Sequence, residues 1–183
     1  LLARSLAREV GRYISEPMAV LEHAAEVVEH RTFFPGTKTD VFLETVKTTY
    51  DLFNMIQVID WNGVVRNACP LYPETVGLDL SGQPFFKRTA LSRQPYFSRV
   101  FVSMQTGQPT LVLTKPFEEG MLAGYLNLSF LNSITDRSAI HPSGYAAVVD
   151  QEGAYVAHPD RSLVSQRVNV KDLEPVRRGL AGE

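Results

Sequence analysis

His158 and Asp160, in the run "AHPD", are the nearest approach in this sequence to a general acid–base pair. An imidazole and a carboxylate can share proton transfer when both face one cleft. Here they bracket Pro159 just after a strand-like stretch, where such side chains bond backbone amides and shape a turn instead. The remaining reactive residue types do not converge. His23, His30, His141 and His158 are dispersed and lack metal-ligand spacing. Cys69 is alone, so it forms neither an internal disulfide nor a thiolate cluster, and it reads as a small buried hydrophobe. No glycine-rich phosphate loop, His-x-x-x-His or Gly-x-Ser-x-Gly is present. These residue types therefore give no catalytic residue, no metal site and no cofactor to expect.

A repeated turn is more informative. "QVIDWNGVV" (Gln57 to Val65) returns as "AVVDQEGAYV" (Ala147 to Val156), and the two Asp-x-x-Gly turns start 90 residues apart, at Asp60 and Asp150. In each, the aspartate suits the turn because its carboxylate accepts backbone N–H groups, and Gly63 suits a positive φ. Two aspartates with this turn chemistry are read as structural, not catalytic.

The elements that must position any site follow from the periodicities. The chain has 183 residues, 44% hydrophobic and 10% aromatic, enough for a packed core in one large or two small domains. The formal net charge of −2 and scattered Lys and Arg give no nucleic-acid footprint. Residues 1–30 have apolar positions at spacings of three and four, interrupted by Pro17, which predicts a kink or two helices end to end. "RTFFPGTKTD" reads as a loop. Asp40 is then expected to cap a second helix whose buried face is Val41, Leu43, Val46, Tyr50 and Phe53. A hairpin follows around Asp60. Asp79 or Ser81 is expected to start a helix burying Phe85, Phe86 and Ala90. "PYFSRVFVS", "TLVLTKPF" and "MLAGYLNLSFL" read as three antiparallel strands, the last running into a short helix.

This order predicts an α+β unit with a five-stranded sheet over residues 40–135. "DRSAIHPSG" reads as a linker. Residues 136–183 repeat the opening of the unit and stop before its later strands, so the second unit is expected to be truncated. A lone hairpin is marginal in water, which implies that the full protein continues. Both ends, at Leu1 and Glu183, read as cut. No apolar run approaches a membrane span, and one cysteine does not decide the compartment.

"VIDWNGVV", "GLDLSGQPFFKRTALSRQPYFSRVFVSMQTGQPTLVLTKPF", "GMLAGYLNLSFL" and "GYAAVVDQEGAYVAHPD", in that order, resemble the double Cache family. These are tandem PAS-like sensors of bacterial transmembrane receptors: histidine kinases, diguanylate cyclases with GGDEF output, and chemoreceptors. The resemblance covers nearly the whole chain. It implies a fold in which a long N-terminal stalk helix (residues 1–39) is followed by two PAS-like units with central antiparallel sheets. Residues 40–135 would be the membrane-distal, ligand-binding unit and residues 136–183 the start of the membrane-proximal one. It further implies a periplasmic location, a parent protein in the inner membrane, a homodimer through the N-terminal helix, and a small-molecule ligand.

In such folds a pocket lies on one face of the sheet, which directs attention to Phe86, Arg88, Tyr96, Ser98, Thr114, Lys115, Tyr125 and Asn127. Arg88 reads either as a bidentate contact to a carboxylate or as a solvated helix-surface arginine, the commoner setting for this residue type. Tyr96 and Ser98 share a face, as do Tyr125 and Asn127; Thr114 and Lys115 point to opposite faces. Tyr96 reads either as a pocket residue or as a half-buried core tyrosine, Lys115 as a pocket or solvent lysine. Asn127 needs partners if buried, or lies on the exposed face. Many amino-acid-sensing members carry Arg-x-Trp-Tyr on this helix and an Asp on the late strand. Here the stretch reads Gln83-Pro84-Phe85-Phe86, and "GYLNLS" holds no acid. The resemblance therefore disfavours an amino-acid ligand and leaves an organic acid or another small metabolite. The alternative is a ligand-free dimerisation or protein-contact module.

Overall fold

The computed structural model describes residues 2–30, 37–103, 107–138 and 144–182. Contacts divide the chain into two compact units. One comprises Arg12–Ser98 and Val112–Asn127; the other comprises Leu1–Gly11, Arg99–Leu111 and Leu128–Glu183. Among the described residues, no helix is long and apolar enough to cross a membrane.

Helix α1 (Leu2–His30) is a single helix with Pro17 inside it, not two helices end to end. In the first unit its buried stripe is Tyr13, Leu21, Ala24, Ala25 and Val28. Helix α2 (Thr37–Tyr50) starts before Asp40, so Asp40 lies in its first turn instead of capping it. The Asp40 carboxylate accepts the Asn67 side-chain amide at 2.8 Å. Only Leu43 and Val46 of the anticipated face are buried in the helix, because Phe53 already belongs to the next strand. Val41 and Tyr50 are exposed.

The strands are β1 (Phe53–Asp60), β2 (Val65–Cys69), β3 (Tyr96–Phe97), β6 (Val112–Phe117) and β7 (Gly120–Leu126), with the short β4 (Phe101–Val102) and β5 (Pro109–Thr110) between β3 and β6. The antiparallel sheet has the five strands that the periodicity predicts, and their order is β2-β1-β7-β6-β3. The expected single strand over residues 95–103 is divided. Ser98 Oγ accepts the Val112 N–H at 2.8 Å, so a side chain takes the place of a ladder acceptor and β3 ends. Past that point β4 pairs with β5 in a separate sheet belonging to the second unit.

Helix α3 (Pro84–Ser92) begins five residues after Asp79, with Gln83 at the N-cap and proline in the first turn. Asp79 instead accepts the Ser81 N–H at 2.8 Å in the turn that precedes it. Its buried residues are Phe85, Phe86 and Thr89, with Ala90 half-buried. The two helices cover opposite faces of the sheet. Asp40 of α2 reaches Asn67, which pairs with Val58; Thr89 of α3 reaches Thr114, whose register partner Ala123 pairs with Gln57. Gln57 and Val58 are neighbours on one strand and so face opposite ways.

The second unit contains α4 (Ser129–Ser138), β8 (Val148–Val149), β9 (Tyr155–Ala157), α5 (Arg161–Ser165) and α6 (Glu174–Leu180). Helix α4, which the sequence reading attached to the first unit, packs with β9. It also takes up the start of the expected linker, of which residues 139–143 lie outside the described residues, as do residues 31–36 of the earlier loop. Asp160 N-caps α5, accepting the Ser162 N–H at 2.9 Å.

The repeated turns are the same structure twice. Asp60 Oδ1 accepts the N–H groups of Asn62 and Val64 at 2.9 and 3.0 Å; Asp150 Oδ1 accepts those of Glu152 and Ala154 at the same distances. Gly63 and Gly153 take φ of 86° and 84°. Asp60 also pairs with Arg66, Nε to Oδ2 at 2.7 Å. Burial pushes the Asp60 carboxyl up, but the Val64, Arg66 and Asn62 hydrogen bonds and the Arg66 charge outweigh it and hold the group below the usual carboxylate range. Stability from Asp60 is thus fully present above the unfolded-state value of about 4 and is lost as pH falls through the lowered folded value. Asp60→Asn is expected to cost about 1–3 kcal/mol at neutral pH. The deficit relative to wild type should vanish in acid; urea titrations across pH that show a constant deficit would contradict this assignment.

Candidate functional site

The face of the sheet under α3 carries polar side chains where apolar packing would be the simpler filling. Thr89 Oγ1 and Thr114 Oγ1 lie 2.5 Å apart, both residues fully buried. Thr114 Oγ1 also lies 3.4 Å from the Tyr96 carbonyl, which accepts from it. Across β7, Tyr125 Oη donates to Gln57 Oε1 at 3.0 Å, and Gln57 Nε2 lies 3.5 Å from Met55 Sδ. Gln57 is 1% exposed. The Phe85 ring meets Tyr125 edge-on, with centroids 6.4 Å apart. Burial raises the Tyr125 hydroxyl well above its ordinary range, so it stays protonated and donates. This face thus combines hydroxyls, one carboxamide and aromatic rings.

Of the residues singled out in the sequence, Tyr96, Thr114 and Tyr125 fall on this face by register, and Ser98 follows β3 with its hydroxyl on the Val112 N–H. Tyr96 is half-buried, while Ser98, Thr114 and Tyr125 are buried. Phe86 is buried on α3 and Arg88 is exposed on it. Lys115 points to the other face, where Nζ lies 3.5 Å from Glu22 Oε1 of α1. Asn127 follows β7 and is half-buried. Its backbone N–H donates to the Leu52 carbonyl at 2.9 Å, and its carbonyl accepts from the Tyr13 hydroxyl. Burial, with the Asp51 charge, pushes the Tyr13 hydroxyl up to about 12. Gln57 and Thr89 were missed. The available signal was a carboxamide inside the apolar run "MIQVI", and a threonine one helical turn from Phe85 and Phe86.

Helix α3 is anchored at its far end. Arg93, its C-cap, takes φ of 52°, and its guanidinium stacks 3.5 Å from the centroid of the Trp61 ring. Trp61 Nε1 donates to the Glu118 carbonyl at 2.8 Å. The β1–β2 turn, the β6–β7 turn and the end of α3 therefore meet at one indole.

A family model described as Cache domain matches residues 1–183. No curated protein matches the chain. Solved structures do. An extracellular ligand binding receptor from Desulfohalobium retbaense superposes with a TM-score of 0.79 at 19% identity, covering 98% of this chain and 34% of that one. The chain therefore spans about a third of that receptor. The ligand-binding domain of the Pseudomonas fluorescens chemoreceptor CtaA, in complex with L-serine, gives 0.75 at 22% identity over 94% of this chain and 74% of that one. The corresponding domain of the Pseudomonas aeruginosa chemoreceptor PctC, with GABA, gives 0.73 at 20% over 92% and 77%. These likenesses show a shared fold, and the match over the full length places this chain in the double Cache domain family.

Proposed function

We propose that this chain is the extracytoplasmic sensing part of a bacterial transmembrane receptor and binds a small molecule beneath α3 of the first unit. The observation that carries the reading is the buried polar seam of Thr89, Thr114, Tyr125 and Gln57. These side chains pair with one another, Thr89 with Thr114 and Tyr125 with Gln57, and a few placed polar groups among apolar ones are what a small-molecule site uses. Tyr96, Ser98 and Phe86 complete the lining, and Arg88 stands at its outer edge for an anionic ligand. Lys115 belongs to the opposite face and is left out. Neighbours of this fold were solved with L-serine and GABA, so amino acids belong in the screen beside organic acids, amines, sugars and nucleobases.

A ligand at 100 times its dissociation constant adds about 2.7 kcal/mol. The melting temperature should thus rise by several degrees for the right compound. Thr114→Val and Tyr125→Phe each remove one hydroxyl and are expected to weaken binding about tenfold. Arg88→Ala should weaken it only for a carboxylate. Rises identical to wild type in Thr114→Val and Tyr125→Phe would move the site elsewhere.

A second reading, a contact module, draws on the groove between α1 and α2. It has a volume of about 480 Å³ and is lined by Ala19, Val20, Ala24, Phe42, Val46 and Tyr50, among others. An Ala19→Arg change that abolishes self-association, measured by light scattering, would favour dimerisation through this face.

A further inference from the structure

The repeat extends beyond its two turns. Val148 pairs with Ala157 and Val149 with Tyr155 across a register shift, as Val58 pairs with Asn67 and Ile59 with Val65. Bridges Val64–Asp79 and Ala154–Asn169 correspond as well. The same 90-residue offset sets His158 on Ala68, and Ala68 is the register partner of Gln57 on the α3-facing side of the first sheet. The second unit thus carries an imidazole at the place where the first unit begins its polar seam.

His158 is 6% exposed. Its Nδ1 accepts the Asp160 backbone N–H at 2.9 Å. Nδ1 also lies 3.2 Å from the Asp160 carbonyl, but a proton on Nδ1 would oppose the closer Asp160 N–H, so the proton is assigned to Nε2. Nε2 is buried and has no hydrogen-bond partner among the described residues. The ring is flanked by Tyr145 and Tyr155, at centroid distances of 4.7 and 4.8 Å. Charges nearby are already engaged. The Arg161 guanidinium holds Asp136 at 2.6 and 2.7 Å and donates to the Asn132 and His158 carbonyls and to Thr135. The Asp160 carboxylate takes the Ser162 N–H and hydroxyl.

We propose that the second unit holds a binding site of its own at His158, for a small uncharged molecule that accepts the Nε2–H through a carbonyl oxygen and lies against the rings of Tyr145 and Tyr155. A buried donor without a partner is rare and is satisfied by whatever acceptor fits. With the Arg161 guanidinium and the Asp160 carboxylate already engaged, neither is left among the described residues to pair with a charged ligand. Tyr145 is 59% exposed and forms the solvent-side wall. This site is separate from the one proposed under α3.

Acetamide and acetate, equal in size and different in charge, test it on the wild-type 183-residue chain. With histidine labelled in ¹⁵N, millimolar acetamide is expected to move the His158 Nε2 and Hε2 resonances saturably, and acetate to leave them in place. Thr114→Val in the first unit should not alter the response, whereas Tyr145→Ala should weaken it several-fold. Resonances that stay put with acetamide overturn the site, and an equal response to acetate overturns the ligand class.

Discussion

Phe53→Ala is expected to lower the stability of the first unit by about 3–5 kcal/mol, the upper end for loss of a core aromatic. The reason is Gly124. Phe53 opens β1 and is 1% exposed, and a Cβ on Gly124 would come within 2.5 Å of its ring. The ring therefore lies on bare backbone of the central strand β7. Removing it leaves a hole floored by a residue with no side chain to relax into it. Gly124→Ala alone should also be destabilising, since the added methyl must displace a ring with no free space. In the double variant the new methyl partly fills the vacated volume, so the two costs should sum to more than the measured loss. Guanidinium denaturation of the four proteins gives this coupling directly. Simple additivity would mean that Phe53 and Gly124 do not share the space assigned to them.

Gly63→Ala is the other large loss, at about 2–3 kcal/mol or more. A Cβ there would sit 2.6 Å from both Cα and N of Ser81, backbone that cannot rotate away, and the residue already has φ of 86°. Gly77, at φ of 90°, has nothing within 4 Å, so Gly77→Ala isolates the conformational cost and should lose only about 1 kcal/mol. Equal losses at both positions would show that the close approach to Ser81 carries no energy. Gly153, 2.8 Å from Lys171 Cα by the same construction, is the second unit's copy. Hydrogen exchange should show β1 and β2 opening in Gly63→Ala, and β8 and β9 opening in Gly153→Ala.

What the sequence made legible was local chemistry. An Asp-x-x-Gly turn is specified by its own carboxylate and glycine, so the two copies, their spacing and the hairpins around them could be read without any tertiary knowledge. The five strands were equally plain, because β-branched alternation differs from helical spacing. What could not be read depended on distant partners. Asp40 has the right type for an N-cap, but its carboxylate is taken by Asn67, and the helix starts earlier. The break after β3 depends on Ser98 meeting Val112, fourteen residues on. At the candidate site, alternation correctly separated Thr114 from Lys115. Gln57 escaped notice because its neighbours are apolar and its partner Tyr125 lies 68 residues away. Polar residues inside apolar runs reveal themselves only once the strand opposite is known.

Trp61 is the only tryptophan of the chain. Its indole is pinned by the Glu118 carbonyl on one side and covered by the Arg93 guanidinium at the end of α3 on the other. The protein therefore carries a built-in optical reporter at the end of the helix that covers the candidate site. A displacement of α3 that lifts Arg93 changes both the solvation of the indole and the charge next to it. Emission wavelength and intensity then follow that helix directly, without a label, and a Trp61→Phe variant provides the dark reference.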